Sequence, residues 1–390
     1  MALDDNMFTR LVSGVVMAAR ENAVMPKYVN KDLAASLAQQ GSKVTVRVAG
    51  AVTVRDVVPG PTPPSTAEAA PTTFDVSLDY FKEAPFKLIS RDLSGLDKKG
   101  SYIEDQIAES GRAIANAVDN SLLTLYKKSP FSTGTAGTTP FSTSLSALQS
   151  ASAVLYANLV SPNAPDRTLL LDPYAYGNAM GLNQLANAQS FGTTDVIREG
   201  RIVRALGFNW DQDQNTPYHT KGTATGTPLT NGVQAIGVTS LVTDGWTASV
   251  TGILKEGDII TIAGDPNPYV VTADVTSNGA GAATIPISNG FLNRTAGLLV
   301  ACADNAAITV VGSHRVNLAF HKNFALIASR PLDRIEGVPQ QSLRKVWPDP
   351  ISGVIYTIKI TERHEEYEFS VQALWGVRQV RPEFCCRILG

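Results

Sequence analysis

Cysteine is scarce in this chain. Three residues in 390, Cys302, Cys385 and Cys386, two of them adjacent, do not form a disulfide framework. The natural setting for such thiols is synthesis in a reducing compartment. Charge is scarce too: Asp, Glu, Lys and Arg make up 17% of the sequence, against roughly 25% in ordinary soluble domains. The 33 basic and 35 acidic residues leave a net charge of −2. That balance argues against a strongly basic, free-standing nucleic-acid binder. It also gives little electrostatic protection against self-association, which is tolerable where much of the surface is covered by other subunits. No apolar run reaches the roughly 18 residues of a membrane span. Residues 11–19 form a short apolar stretch, but Asp4 and Asp5 stand where a secretory signal carries positive charge, so no export signal is read. The sequon Asn293-Arg294-Thr295 is then a chance match.

The motifs of several enzyme classes are missing as well. There is no Gly-Lys dipeptide for a phosphate-cradling loop, no G-x-S-x-G elbow and no G-x-G-x-x-G opening a helix. The cysteine spacing fits no zinc ribbon. None of His219, His314, His321 and His364 belongs to an H-E-x-x-H. The one candidate constellation is the run from Glu362 through Arg363, His364, Glu365, Glu366 and Tyr367 to Glu368. On a single strand, Glu362, His364, Glu366 and Glu368 share a face. That face reads as a divalent-metal site, as a solvated charged surface, or as an interface where a neighbour's Arg or Lys neutralises the row. Cys385 and Cys386 read as buried small hydrophobes, with a redox pair as the alternative. Nothing here amounts to an active site, and neither an enzyme nor a cofactor is expected.

What is present is clear periodicity. Phe8, Leu11, Val15 and Ala19 recur at helical spacing until Pro26, and residues 31–40 suggest a second short helix. Val44, Val46 and Val48, then Val52 and Val54, alternate with polar residues. The same alternation returns at Phe74, Val76, Leu78 and Tyr80. Between them lie Pro59, Pro61, Pro63, Pro64 and Pro71, which cannot pair in a sheet. The whole predicts a long two-stranded hairpin with an irregular tip. Such a ribbon is marginal alone in water, so its apolar face needs a cover, in its own chain or a neighbour. Arg47 and Arg55 on the first strand and Asp75 and Asp79 on the second carry opposite charges. Residues 101–128 predict a long helix, with Ser101 and Glu104 as a capping box, Ile103, Ile107, Ile114, Val118, Leu122 and Leu125 on one face, and Gly111 marking a bend or a close contact.

Further along, residues 144–156 predict a small-residue helix and residues 168–171 a strand, with Asp172-Pro173 capping the helix after it. Residues 201–208 and 209–213 read as a strand, a turn and a polar loop. From 223 to 312 the composition changes. Gly, Ala, Thr and Val dominate, and the charged residues are two cations and six anions. Short strands at 259–263, 269–272, 283–287 and 298–302 predict a small β-barrel or sandwich. Mixed character returns from 313 to 390, with strands around 356–360 and 371–377. A β-module inserted into an α+β host follows.

In this order, the elements resemble the major capsid protein of tailed double-stranded-DNA bacteriophages, the Hong Kong 97-like fold. The β-insert is similar to that of the podovirus coat subgroup of the P-twenty-two type. Leu374-Trp375-Gly376-Val377 followed by Arg381-Pro382-Glu383 resembles that subgroup's C-terminal signature. Ile253-Leu254-Lys255-Glu256-Gly257-Asp258 and Ile262-Ala263-Gly264 resemble a core segment of its barrel, with the entry at residues 220–226. Leu170-Leu171-Asp172-Pro173 resembles a strand-to-helix step of its outer domain. Two departures stand out: the insert lacks much of the long loop that contacts an adjacent capsomer in the type member, and the N-terminal region offers only Asp4, Asp5 and Glu21 where the type member's scaffold-binding arm is acidic.

The resemblance implies an N-terminal arm (1–41), an E-loop hairpin (42–90), a P-domain with its spine helix (91–130), the first part of an A-domain (131–222), an inserted barrel (223–312) and return strands (313–390). It implies self-assembly as pentamers and hexamers into an icosahedral virion shell, built in the host cytoplasm, with a scaffolding protein and a portal as partners. Packaged double-stranded DNA is expected to be touched non-specifically, and no membrane is involved. The candidate subunit-interface residues are Arg47, Arg55, Phe74, Asp75, Val76, Asp79, Glu362 and Glu366. A secreted or surface β-rich adhesin is the alternative, prompted by the Thr/Gly-rich insert.

Overall fold

The computed structural model describes residues 14–15, 17–19, 23–31, 43–48, 72–89, 102–187, 198–289, 297–331 and 342–390. The expected Ser101/Glu104 cap, the second N-terminal helix and the proline-rich tip lie outside what is described.

The first strands are β1 (Lys43–Val48), β2 (Thr72–Ser77) and β3 (Tyr80–Ile89). The long helix follows as α1 (Tyr102–Leu123) and tightens into a 3-10 turn at Thr124–Lys128. At about 1.5 Å per residue, α1 is roughly 33 Å long. Its apolar positions Ile107, Ile114, Val118 and Leu122 are all buried. They lie on a five-stranded sheet made of β3, β16 (Ala325–Ser329), β17 (Ser342–Pro348), β18 (Ile355–Arg363) and β19 (Glu366–Gln379). In that sheet β19 is central, with β18 and β16 on one edge and β3 on the other. Tyr356, Ile358, Ile360, Phe369, Val371 and Trp375 point at α1 and join its core. Each fully buried side chain of this size contributes about 1.5–3 kcal/mol. The Trp375 indole also donates to Ser121 Oγ at 3.0 Å, which fixes the helix register over the sheet.

A second sheet combines β4 (Phe131–Gly134), β5 (Arg167–Leu171), β6 (Arg204–Ala205), β7 (Phe208–Gln212), β8 (Tyr218–His219), β15 (His314–His321) and β20 (Cys385–Leu389). Pairs β4–β20 and β5–β7 are parallel and the others antiparallel. Alternation along β20 sends Cys385 into the core under α1 and Cys386 into a second core on the opposite face. That second core is closed by α2 (Ser146–Ala157) and α3 (Pro173–Gly181), through Leu148, Leu155, Ala175 and Tyr176. Asp172 caps α3 by accepting from Tyr174 N at 3.2 Å, with Pro173 opening the helix. One expectation is corrected here: residues 209–213 are largely strand, not polar loop. Phe208 and Trp210 are buried while Asn209 and Asp211 are not, which is a half-buried strand's alternation.

Between these segments runs a six-stranded antiparallel sheet in the order β14, β11, β12, β13, β10, β9. Its strands are β9 (Gly226–Thr230), β10 (Ser240–Trp246), β11 (Ile259–Ile262), β12 (Tyr269–Val271), β13 (Ala283–Ser288) and β14 (Ile308–Val310). Residues 298–302, expected as a strand, instead make an isolated bridge through Cys302 to Gln234, while β9, β10 and β14 were not anticipated. The sheet curls until its end strands nearly meet. Leu229 bridges Ala307, and Thr230 exchanges backbone hydrogen bonds with Asn305 (2.9 Å) and Ala306 (3.0 Å). Leu241, Trp246, Ile260, Tyr269, Ile285 and Leu298 form a core of its own.

Candidate subunit interface

The ribbon comes first. Strands β1 and β2 pair antiparallel with Lys43 opposite Ser77 and Val48 opposite Thr72. The described part of the ribbon does not float free. Val76 is fully buried against Leu326 and Ala328 of β16, so it has no surface left to offer a neighbour. Gly376 in β19 makes room for the crossing: a Cβ there would stand 2.1 Å from the Ser77 carbonyl oxygen. Phe74 is half-buried, with the Arg378 guanidinium 5.7 Å from its ring centre, and Arg378 also donates to the Asp75 carbonyl. The Asp75 carboxylate is exposed and accepts from Thr45 Oγ1 at 2.7 Å. Asp79 is exposed between β2 and β3. In the register, Arg47 lies opposite Thr73, two residues from Asp75. Arg55 lies outside the described residues.

The acidic run folds differently from a single strand. His364 and Glu365 adopt positive φ (22° and 63°) and turn the chain between β18 and β19. Arg363 then pairs with Glu366, Glu362 with Tyr367, and Thr361 with Glu368. Glu362 therefore stands on the face opposite Glu366 and Glu368, and the shared row dissolves into a hairpin tip. Tyr367 Oη donates to Glu362 Oε1 at 3.1 Å, and Lys87 of β3 makes an exposed ion pair with Glu366 at 3.4 Å. The neutralising lysine comes from the same chain, and a pair of that exposure contributes about 0–1 kcal/mol. Among the described residues, no three His, Cys, Asp or Glu side chains converge to hold a metal ion.

Sequence reasoning missed a buried polar junction between the six-stranded sheet and its host. His219 Nδ1 bonds the Tyr126 hydroxyl at 2.8 Å, and its Nε2 bonds Asp258 Oδ1 at 2.7 Å. Asp258 Oδ2 accepts from the backbone N–H of Gly222 (3.0 Å) and Lys255 (2.8 Å). Arg387, fully buried, donates to the carbonyls of Gly257 (2.7 Å) and Ser129 (3.0 Å), with its guanidinium 5.7 Å from the Tyr126 ring centre. His314 stacks at a tilt 5.3 Å from His219. Burial pushes the His314 imidazole down to about 4 and the Arg387 guanidinium down to about 10. Burial likewise pushes both the Cys385 and Cys386 thiols up to about 12, which leaves them protonated and unreactive. The segment containing Gly257 and Asp258 stands out in the sequence, but no spacing marks His219 or Arg387 as its partners.

No protein-family model and no curated protein matches the sequence. Solved structures do match. A chain of the Mycobacterium phage Che8 structure superposes with a TM-score of 0.51 at 14% identity, covering 94% of this chain and 91% of that one. The capsid structure of the cyanophage P-SCSP1u gives 0.46 at 11% identity (95% and 87%), and the mature capsid of bacteriophage PhiM1 gives 0.45 at 11% (90% and 83%). The mixed α+β fold of this protein is thus one it shares, over nearly the full length of both chains, with the Mycobacterium phage Che8 chain.

Proposed function

We propose that this chain is a major capsid subunit that assembles into an icosahedral shell around phage double-stranded DNA. Its role is structural and it performs no catalysis. The observation that carries this reading is the near-full-length fold match to a phage chain. The order of elements supports it: a two-stranded ribbon, a long helix on a sheet, then a mixed sheet interrupted by a nearly closed one.

In this reading residues 223–312 are the inserted barrel of the P-twenty-two-type subgroup, folding around their own core. The segments 1–41, 42–90, 91–130, 131–222 and 313–390 are the arm, E-loop, P-domain, A-domain and return strands. Copies of the chain contact one another as pentamers and hexamers, with a scaffolding protein and a portal as assembly partners. Shells form in the host cytoplasm and become part of the virion. DNA is touched without sequence preference. The interface uses the half-buried Phe74 and the exposed Asp75 and Asp79, together with Arg47 and Arg55 and the hairpin tip at Glu362 and Glu366. The adhesin reading rested on the composition of 223–312, which six short strands and the Gly-, Ala- and Thr-rich connections between them account for. Among the described residues, no helix is long and apolar enough to cross a membrane.

Negative-stain microscopy of the purified protein, alone and co-expressed with its scaffold, tests the proposal. Closed shells are expected. Discrete monomers under every condition overturn it.

A further inference from the structure

Two buried carboxyl groups meet where three parts of the fold converge. Asp119 sits on the buried side of α1 and Asp213 follows β7, and they are 0% and 1% exposed. Asp119 Oδ1 accepts from the Met25 backbone N–H at 3.0 Å, and its Oδ2 accepts from Asn215 Nδ2 at 3.0 Å. Asn215 also reaches Asn116 Oδ1 at 3.2 Å, and its backbone N–H binds Asp213 Oδ1 at 2.8 Å. The remaining oxygen, Asp213 Oδ2, is buried with no hydrogen-bond partner. Asn215 thus joins the two side chains, Asp119 through its amide and Asp213 through its backbone N–H, and two ionised carboxylates held on one residue in a buried site repel each other.

We propose that this pair holds one proton between its carboxyls and is a pH-operated catch, fastening residues 23–31 onto α1 and loosening when that proton leaves. With the proton in place, Asp119 donates to Asp213 Oδ2 while still accepting from Met25. Without it, two negative charges face each other in a site closed to water. Burial, and then the Asp213 charge, push Asp119 up to about 8, and burial also raises Asp213. The surrounding charged groups do not cancel the second charge. Asp211 on β7 adds to the negative field, and its carboxylate is already taken by the Tyr28 hydroxyl at 2.7 Å. Arg201 acts on Tyr28, and Lys27 of the fastened segment is a cation acting on Asp213. The folded-state value lies above the ordinary carboxyl value. The catch is therefore fully closed below the ordinary carboxyl range and is lost as pH rises through about 8.

Hydrogen-exchange mass spectrometry of the full chain at pH 6.5 and pH 9.0, with labelling times scaled to intrinsic rates, reads the catch directly. Peptides covering residues 14–31 should lose protection at least tenfold at pH 9.0, while peptides covering 167–171 keep theirs. Asp119→Asn still accepts from Met25 through its amide oxygen and carries no titratable proton, at the cost of the bond from Asn215 Nδ2. Asp213→Asn removes the opposing charge and donates to Asp119. Both variants should hold residues 14–31 within twofold across the same range, and the second keeps the test available if the first fails to fold. Retained protection of 14–31 in the unmodified chain at pH 9.0, loss throughout the chain, or equal loss in a folded variant each overturns the proposal.

Discussion

Gly111 of α1 and Val15 touch through a side chain that is not there. A Cβ at position 111 would stand 3.1 Å from Val15 Cγ1 and 3.2 Å from both Val15 Cα and its carbonyl oxygen. The glycine in an otherwise regular helix is thus explained by close contact with the segment packed across it.

Gly111→Ala should accordingly fail to deliver its usual gain. Alanine is worth about 1 kcal/mol more than glycine in a helix interior, but here the methyl must push backbone atoms of residue 15. We expect no rise in the urea midpoint and faster exchange of residues 14–31. A variant stabilised by the full ~1 kcal/mol with unchanged exchange shows that the contact yields easily.

His314 should make stability fall in acid. Its imidazole is held down to about 4 by burial, below the ordinary value of about 6.5. The unfolded chain therefore takes up a proton that the folded chain refuses. The contribution is present above about 6.5 and is lost as pH falls towards 4, a loss of about 2–3 kcal/mol. Urea unfolding at pH 7 and pH 5 should show this slope in the unmodified chain and a shallower one in His314→Gln. Equal slopes contradict the assignment.

Arg387→Met should loosen the junction beneath the six-stranded sheet. The substitution leaves the Gly257 and Ser129 carbonyls without their buried donor, at a cost of about 1–3 kcal/mol each, partly offset because an expensive buried charge disappears. We expect a net loss of about 2 kcal/mol by thermal unfolding, with exchange rising first at residues 255–258. A variant as stable as the parent would mean that apolar packing alone seats that sheet.

The ribbon separates folding from assembly. Replacing residues 49–71 by Asn-Gly joins Val48 to Thr72 through a two-residue turn that their pairing accommodates. We expect this variant, and Phe74→Ser, to keep the circular dichroism of the parent and to form no stable shells. Val76→Ser should instead weaken the subunit itself by about 2 kcal/mol, because Val76 is core to its own chain. Unfolding of the shortened variant would place the whole ribbon in the subunit core.

Several elements were legible because one physical signal dominated them. The α1 face from Ile107 to Leu122 carries a helical period broken only at Gly111, and β1, β2 and β18 carry an uninterrupted period of two. Asp172-Pro173 combined two local preferences that both favour a helix start. Other elements had no such signal. Strand β15 is buried through Val316–Phe320 and lacks alternation, because both faces of its sheet are covered. Strand β9 is Gly-Thr-Pro-Leu-Thr, whose pairing comes from neighbours rather than from propensity. The acidic run misled for the opposite reason: it alternates well, but a turn at His364–Glu365 reverses the chain within it. The contacts of Asp119 with Asn215, and of His219 with Asp258, join distant segments through single hydrogen bonds, and nothing in the local sequence announces them.

Strand β20 lies between β4 and β15, and the Ser129 hydroxyl holds the Cys385 carbonyl across a separation of 256 residues at 2.8 Å. A nascent chain that has already made β4 must therefore grow by a similar length before the gap between β4 and β15 is filled. Until then both cores have an open side, since β20 supplies Cys385 to one and Cys386 and Ile388 to the other. Closure of so distant a loop is slow, and the unfilled gap exposes two strand edges to any neighbouring chain. The ribosome thus sets a clock on this molecule: a partly made copy carries sticky edges but no finished surface, and only the insertion of one five-residue strand turns the first condition into the second.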